Sequence, residues 1–147
     1  MKTYSILALF VAFLFCTNCE ETKTKVATVG DVKFARSTFE SLARGDASVA
    51  TKIDWPVFTS MGNNAGAAYS LLPSGVEKER FVSNFITQFA TSFREGGASV
   101  DQFTNWRVVT HDSQSTEVAA ESPGGILTII VSERNNDEKV SSINIVK

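Results

Sequence analysis

Chemistry-bearing side chains are scarce in this chain of 147 residues. It has one histidine, His111, and two cysteines, Cys16 and Cys19, with none after them. The body of the chain therefore has no internal disulfide to make, and a zinc site has too few nitrogen and sulfur donors. No metal or other cofactor is expected. Neither sign of charge dominates: 14 basic side chains stand against 16 acidic ones, a formal net charge of −2. Duplex-binding proteins are usually basic, so nucleic acid is not an expected partner. No phosphate-cradling loop is present either, because Gly62-Asn63-Asn64-Ala65-Gly66 lacks the lysine and the strand-to-helix setting. The hydrophobic share of 43% against 20% charged residues is that of a folded domain. The length suits one domain plus a tail.

The most apolar run is Ile6 to Phe15, ten residues behind the charge of Lys2. A membrane-spanning helix needs roughly twice that length. The run suits the apolar region of a secretory signal, and it stops at Thr17-Asn18. Both cysteines sit at its end. This arrangement resembles a bacterial lipoprotein signal, in which the cysteine at the cleavage point is acylated and becomes the first mature residue. Cys19 is the expected lipidation site, with Cys16 the alternative, and an ordinary cleaved signal without lipid stays open. Residues 1–19 then form the signal and residues 20–26, with Glu20-Glu21-Thr22-Lys23-Thr24-Lys25, a polar tether. Such a protein is exported and held at a periplasmic or surface membrane face by its acyl chains.

Residues 27–147 read as one domain. Gly30-Asp31 offers a helix start with Asp31 as N-cap, and Val32, Ala35, Phe39, Leu42 and Ala43 lie on one helical face up to Gly45. Asp46 can cap a second, shorter helix carrying Val49, Ala50 and Ile53, which Asp54-Trp55-Pro56 ends. Val57-Phe58-Thr59 suits a short strand. From Gly62 to Gly75 the chain is rich in Gly, Asn, Ala and Ser, which fits either a mobile lid or helical turns. Ser74 and Glu77 have capping-box spacing, and Phe81, Phe85, Phe89 and Phe93 then recur every fourth residue up to Gly96-Gly97. Burying those four rings contributes about 6–12 kcal/mol at most.

After Trp106 the period changes to two. Trp106, Val108 and Thr110 alternate with Arg107, Val109 and His111. Thr116 to Glu121, Ile126 to Glu133 and Val140 to Val146 follow as further strands. Ser122-Pro123-Gly124-Gly125 suits a type II turn, with glycine third. In the last strand Val140, Ser142, Asn144 and Val146 share one face, and Ser141, Ile143 and Ile145 the other. Helices first and strands last predict an α+β fold.

Helix, helix, short strand, long helix and then four antiparallel strands is an order similar to the nuclear-transport-factor-2-like superfamily. The features that carry it are Leu42-Ala43-Arg44-Gly45-Asp46, the helix over 75–95 and the meander from Trp106. The resemblance implies a cone: a long helix packed on a curved antiparallel sheet of four to five strands, with a pocket at the open end. Ile53-Asp54-Trp55, Gly66, Tyr69, Pro73 and Glu79-Arg80-Phe81 with the later phenylalanines also resemble periplasmic phospholipid carriers of that superfamily.

The same superfamily contains isomerases and dehydratases that work with Asp, His or Tyr inside the cone. Here the face of the first helix offers only Val32, Ala35, Phe39 and Leu42. His111 and Asp112, adjacent on a strand, point to opposite faces and make a poor dyad. Asp54 is the other candidate base. With no catalytic set, the expected activity is binding rather than catalysis. Trp55, Tyr69, Phe81, Phe85, Phe89 and Trp106 are the candidate pocket residues for an apolar small molecule or a lipid. A homodimer or other envelope partner through the sheet face is the alternative.

Overall fold

Asp31, Ala35, Thr38, Phe39 and Leu42 are all buried, and their spacing marks one stripe of a helix. In the computed structural model that helix, α1, spans Thr17–Arg44. The structure describes residues 17–73 and 75–147, with residues 17–27 through their backbone alone. The apolar run of the signal, Cys16, the side chain of Cys19 and Ser74 lie outside the described residues. Residues 20–26, read as a tether, fall in the first turns of α1. Among the described residues no helix is long and apolar enough to cross a membrane.

Beyond α1 the chain makes two 3₁₀ turns, Ala47–Lys52 and Trp55–Val57, the first capped by Asp46 through a bond from the Ser48 N–H at 2.9 Å. A two-residue strand β1 (Thr59–Ser60) follows, then α2 (Ala65–Leu71) and α3 (Val76–Glu95). A last 3₁₀ turn, Val100–Gln102, leads into β2 (Thr104–His111), β3 (Ser115–Ser122), β4 (Gly125–Arg134) and β5 (Asp137–Val146). The fold is α+β, with helices packed on a five-stranded sheet in the order β1-β5-β4-β3-β2. β2 to β5 run antiparallel to their neighbours, and β1 pairs parallel with β5. α1 packs across β2 to β5 on one side and against α3 on the other. Phe39, Leu42, Val118, Leu127, Ile129 and Ile143 form the centre of the core.

Several local expectations are corrected. Asp31 does not cap α1: it lies within the helix and is turned onto the sheet. The short strand falls two residues later, because Trp55–Val57 closes as a 3₁₀ turn with Pro56 in its first turn. Of the two readings of 62–75, the helical one holds: Asn64 caps α2 by accepting from the Ala67 N–H at 2.9 Å. Gly66 lets that helix lie on the preceding turn, since a Cβ there would stand 2.6 Å from the Pro56 carbonyl oxygen. The N-cap of α3 is Gly75.

In the sheet, the turn after β3 is not type II. The left-handed backbone falls at Gly125 (φ 131°) instead of Gly124, with the Val146 carbonyl packed against its Cα. A register shift between Ile130 and Val131 pairs Ile130 with Ser142 and Val131 with Val140. Ser141 is the extra residue. Val140 therefore turns inward with Ile143, both fully buried, and the simple alternation along β5 breaks.

Candidate functional site

Two of the cavities beside the core differ most in chemistry. The first is an apolar groove of about 480 Å³ between α3 and the turn after β1. Phe85, Phe89 and Phe93 make its wall, with Met61, and Ser60, Asn63, Gln88 and Ser92 make its rim. Rings four residues apart on a helix lie one above another. Phe85 and Phe89 stack at 6.3 Å, and Phe89 and Phe93 at 6.4 Å. All three rings are half-buried, backed by the core and open toward the groove.

The opposite wall is a tight turn. Ser60 and Asn63 exchange backbone hydrogen bonds at 2.9 and 2.8 Å, leaving Met61 and Gly62 at the tip with φ of 50° and 79°. A left-handed methionine costs backbone energy. Here the Met61 N–H is held by the Ile143 carbonyl at 2.9 Å, and its side chain lies exposed along the groove.

The six candidate pocket residues separate into three groups. Phe85 and Phe89 line the groove. Trp55, Tyr69 and Phe81 pack on one another at 6.0–6.3 Å and close one end of it, where Trp55 meets Phe85 edge-on at 5.5 Å. The Trp55 indole N–H donates to the Ala50 carbonyl at 2.9 Å, so its polar edge is used within the fold. Trp106 lies away from the groove, against Phe39 at 6.2 Å, with its N–H on the Phe103 carbonyl. Trp106 lines a separate hollow of about 480 Å³ with Val29, Val32 and Val108.

The second cavity is small, about 150 Å³, and polar. It lies at the end of the sheet beneath α1, lined among others by Asp31, His111, Asp112, Thr116, Glu133 and Glu138. Asp31 and Thr116 are 8% and 3% exposed, and the Thr116 hydroxyl donates to Asp31 Oδ2 at 2.5 Å. His111 Nδ1 stands 2.8 Å from the same hydroxyl oxygen. The hydroxyl spends its one proton on Asp31, so toward His111 its oxygen accepts, from Nδ1–H. The tautomer with Nδ1 protonated follows from this network.

His111 reaches that position because of a second register shift, between Val108 and Thr110. It sends Thr110 outward to Glu117 and His111 inward to Thr116, the reverse of plain alternation. Asp112, as expected, does not pair with His111. It accepts from the Gln114 and Ser115 N–H groups, which hold its carboxyl below the usual aspartate range. Glu138 stands on the rim. Burial first, and then the Asp31 carboxylate and Glu133, push its carboxyl above the usual glutamate range.

Asp54, the other candidate base, faces neither cavity. Both its oxygens are held by Arg134 Nη1, at 2.7 and 2.8 Å, and its own N–H donates to Val140 O. That ion pair ties the turn before β1 to the end of β4. Among the described residues no group of three His, Cys, Asp or Glu side chains is placed to hold a metal ion. Sequence reasoning carried Phe93 in the phenylalanine stripe but not among the pocket candidates, and it missed Gln88 and Ser92, which follow Phe85 and Phe89 at the i+3 spacing of one helical face. Met61 comes from a turn about 30 residues away and gave no periodic signal.

In comparisons with known proteins, no family model, no curated protein and no solved structure matches this chain.

Proposed function

We propose that this chain is an exported, lipid-anchored envelope domain whose groove binds an apolar small molecule or lipid without catalysing a reaction. The cone architecture of the nuclear-transport-factor-2-like superfamily belongs to the same reading. The observation that carries it is the row of half-buried phenylalanine rings facing about 480 Å³ of groove. Ligand sites of this size are mostly apolar, with a few polar groups that orient the ligand, which is the composition of this wall and rim. The left-handed Met61, held over the opening, adds a strained residue at the same place.

Native mass spectrometry of the full chain, before and after organic extraction, tests this. An apolar mass that leaves on extraction is the expected result, and Phe89→Asp is expected to abolish it. A wild-type protein that never carries or takes up an apolar mass overturns the reading. For the anchor, labelled palmitate is expected in the wild type and lost in Cys19→Ala. Loss in Cys16→Ala alone moves the site, and no label in the wild type removes it.

A second reading is a homodimer through the outer face of the sheet. Ile126, Ile130 and Val146 are exposed there, on two neighbouring strands. Sedimentation distinguishes it: a dimer that Ile130→Lys dissociates supports this reading, and a strict monomer removes it.

A further inference from the structure

We infer that the groove's ligand is an uncharged, single-chain amphiphile, with an apolar part of about ten carbons at C–C bonds of about 1.5 Å in zigzag. The inference rests on the reading above and narrows it to a ligand class. Three features of the groove carry it.

The rim carries no charge. Ser60, Asn63, Gln88 and Ser92 are the polar residues that line the groove among the described ones, and all are hydroxyls or amides. Such groups both donate and accept, which matches a hydroxyl, ester or amide head. A carboxylate or phosphate head seated here would lose water and meet no cation.

The groove has two ends. At one, Trp55 and Phe58 stand edge-on to Phe85 at 5.5 and 5.6 Å. At the other, Phe39 and Phe103 meet Phe93 at 5.7 and 6.1 Å. Between them, Phe85 to Phe93 spans two helical turns, about 12 Å at 1.5 Å per residue. An extended chain of about ten carbons covers that length. Further methylenes leave the groove, because the next rings of the file, Phe81 at 6.5 Å from Phe85 and Phe103 at 6.1 Å from Phe93, do not line it.

The wall is a single file of rings, with Met61 opposite. One file offers one track, so a single chain lies in the groove with its head at the rim.

The groove has its own reporter. The chain has two methionines, Met1 and Met61, and only Met61 lines the groove. The full chain, labelled with methyl-¹³C methionine and kept soluble in amphipol, is titrated with linear alcohols from hexanol to tetradecanol and with octanoate and decanoate at pH 8. Met61 is expected to shift saturably with the alcohols. Affinity is expected to rise about fourfold per added methylene up to decanol and then level off. Decanol is expected to bind at least about tenfold tighter than decanoate, the penalty for a charged head without a partner. Ser92→Lys, an exposed change, is expected to narrow that gap. Equal binding of decanol and decanoate overturns the uncharged head, and affinity that keeps climbing to tetradecanol overturns the bounded length. If no probe moves Met61, the binding function itself fails.

Discussion

The groove on α3 and the polar cavity beneath α1 are built in opposite ways. The groove on α3 takes three of its wall residues from nine consecutive positions, Phe85 to Phe93, and no charge lines it. The polar cavity draws Asp31 from α1, His111 from β2, Thr116 from β3 and Glu138 from β5, and carboxylates crowd it. Apolar burial stabilises without regard to direction, so an open apolar wall can wait for a ligand at little cost. A buried carboxylate is stable only while its partners stay in place. The first region leaves its rings open toward solvent, and the second ties α1 to the sheet.

The largest expected effect lies in the core behind the groove. Phe39, on α1, is fully buried and touches Phe93, Phe103 and Trp106. Phe39→Ala is expected to lose about 3–5 kcal/mol in a denaturant titration. A loss well under that would show that the far end of the groove collapses onto the space, and that the end is soft.

Next is the polar anchor itself. Thr116→Val keeps the shape and removes the hydroxyl that joins Asp31 to His111. The cost expected at neutral pH is about 2–3 kcal/mol, the range for a hydrogen bond to a buried charge. Adding Asp31→Leu is expected to recover part of it, because the stranded charge goes too. A double-mutant cycle with no coupling between these positions would break the contrast drawn above.

The contrast also explains what the sequence made visible. The fourth-residue recurrence of phenylalanine is local, and it placed α3 and two of the groove residues. The strands from Trp106 onward and the α+β class were visible for the same reason. The polar cavity was hidden because 85 positions separate Asp31 from Thr116, and nothing periodic links them. Asp31 even carried a misleading local signal, since Asp after Gly looks like a helix start, while α1 begins at Thr17. His111 was assigned to the wrong face by strict alternation, because a bulge adds one residue without a compositional mark. The aromatic candidates are spread over more than one place. Trp55 and Trp106 each spend the indole N–H on a nearby carbonyl, and Trp106 faces a separate hollow beside Val32 and Val108.

A ligand effect follows in size. Phe89→Ala removes the middle ring of the file while its neighbours stay stacked on the core. Decanol binding, read at the Met61 methyl, is expected to weaken about tenfold, or ~1.4 kcal/mol. Tyr69→Phe, outside the groove, is expected to leave it unchanged.

Smaller again is the point where polar and apolar meet on α1. Thr38 is fully buried, and its hydroxyl has no hydrogen-bond partner. It lies one residue before Phe39, on the helix face that carries Asp31 two turns earlier. Thr38→Val is expected to stabilise by about 1 kcal/mol, as removal of an unsatisfied buried hydroxyl does. Destabilisation would place that hydroxyl in the polar region after all.

The smallest expected effect has the clearest sign. Glu138 is an acid whose folded-state pKa lies above its ordinary value, raised by burial and by Asp31 and Glu133. Such a group favours folding while protonated. Its contribution is complete below the ordinary glutamate range and is lost as pH rises through the raised folded value. Stability from this site therefore falls as pH rises from acid, opposite to the usual salt-bridged carboxylate. Because Glu138 stands largely in solvent, screening holds the effect below about 1 kcal/mol. Glu138→Gln is expected to flatten that part of the stability profile and to gain slightly at neutral pH. His111 gives an independent reading, since a single histidine yields a single imidazole spectrum. Its nitrogen shifts are expected to report the tautomer protonated at Nδ1 in the wild type and to lose that preference in Thr116→Val. If Glu138→Gln leaves the profile unchanged while His111 behaves as expected, the carboxylates on the rim are decoupled from the buried chain. The polar region would then reduce to Asp31, Thr116 and His111 alone.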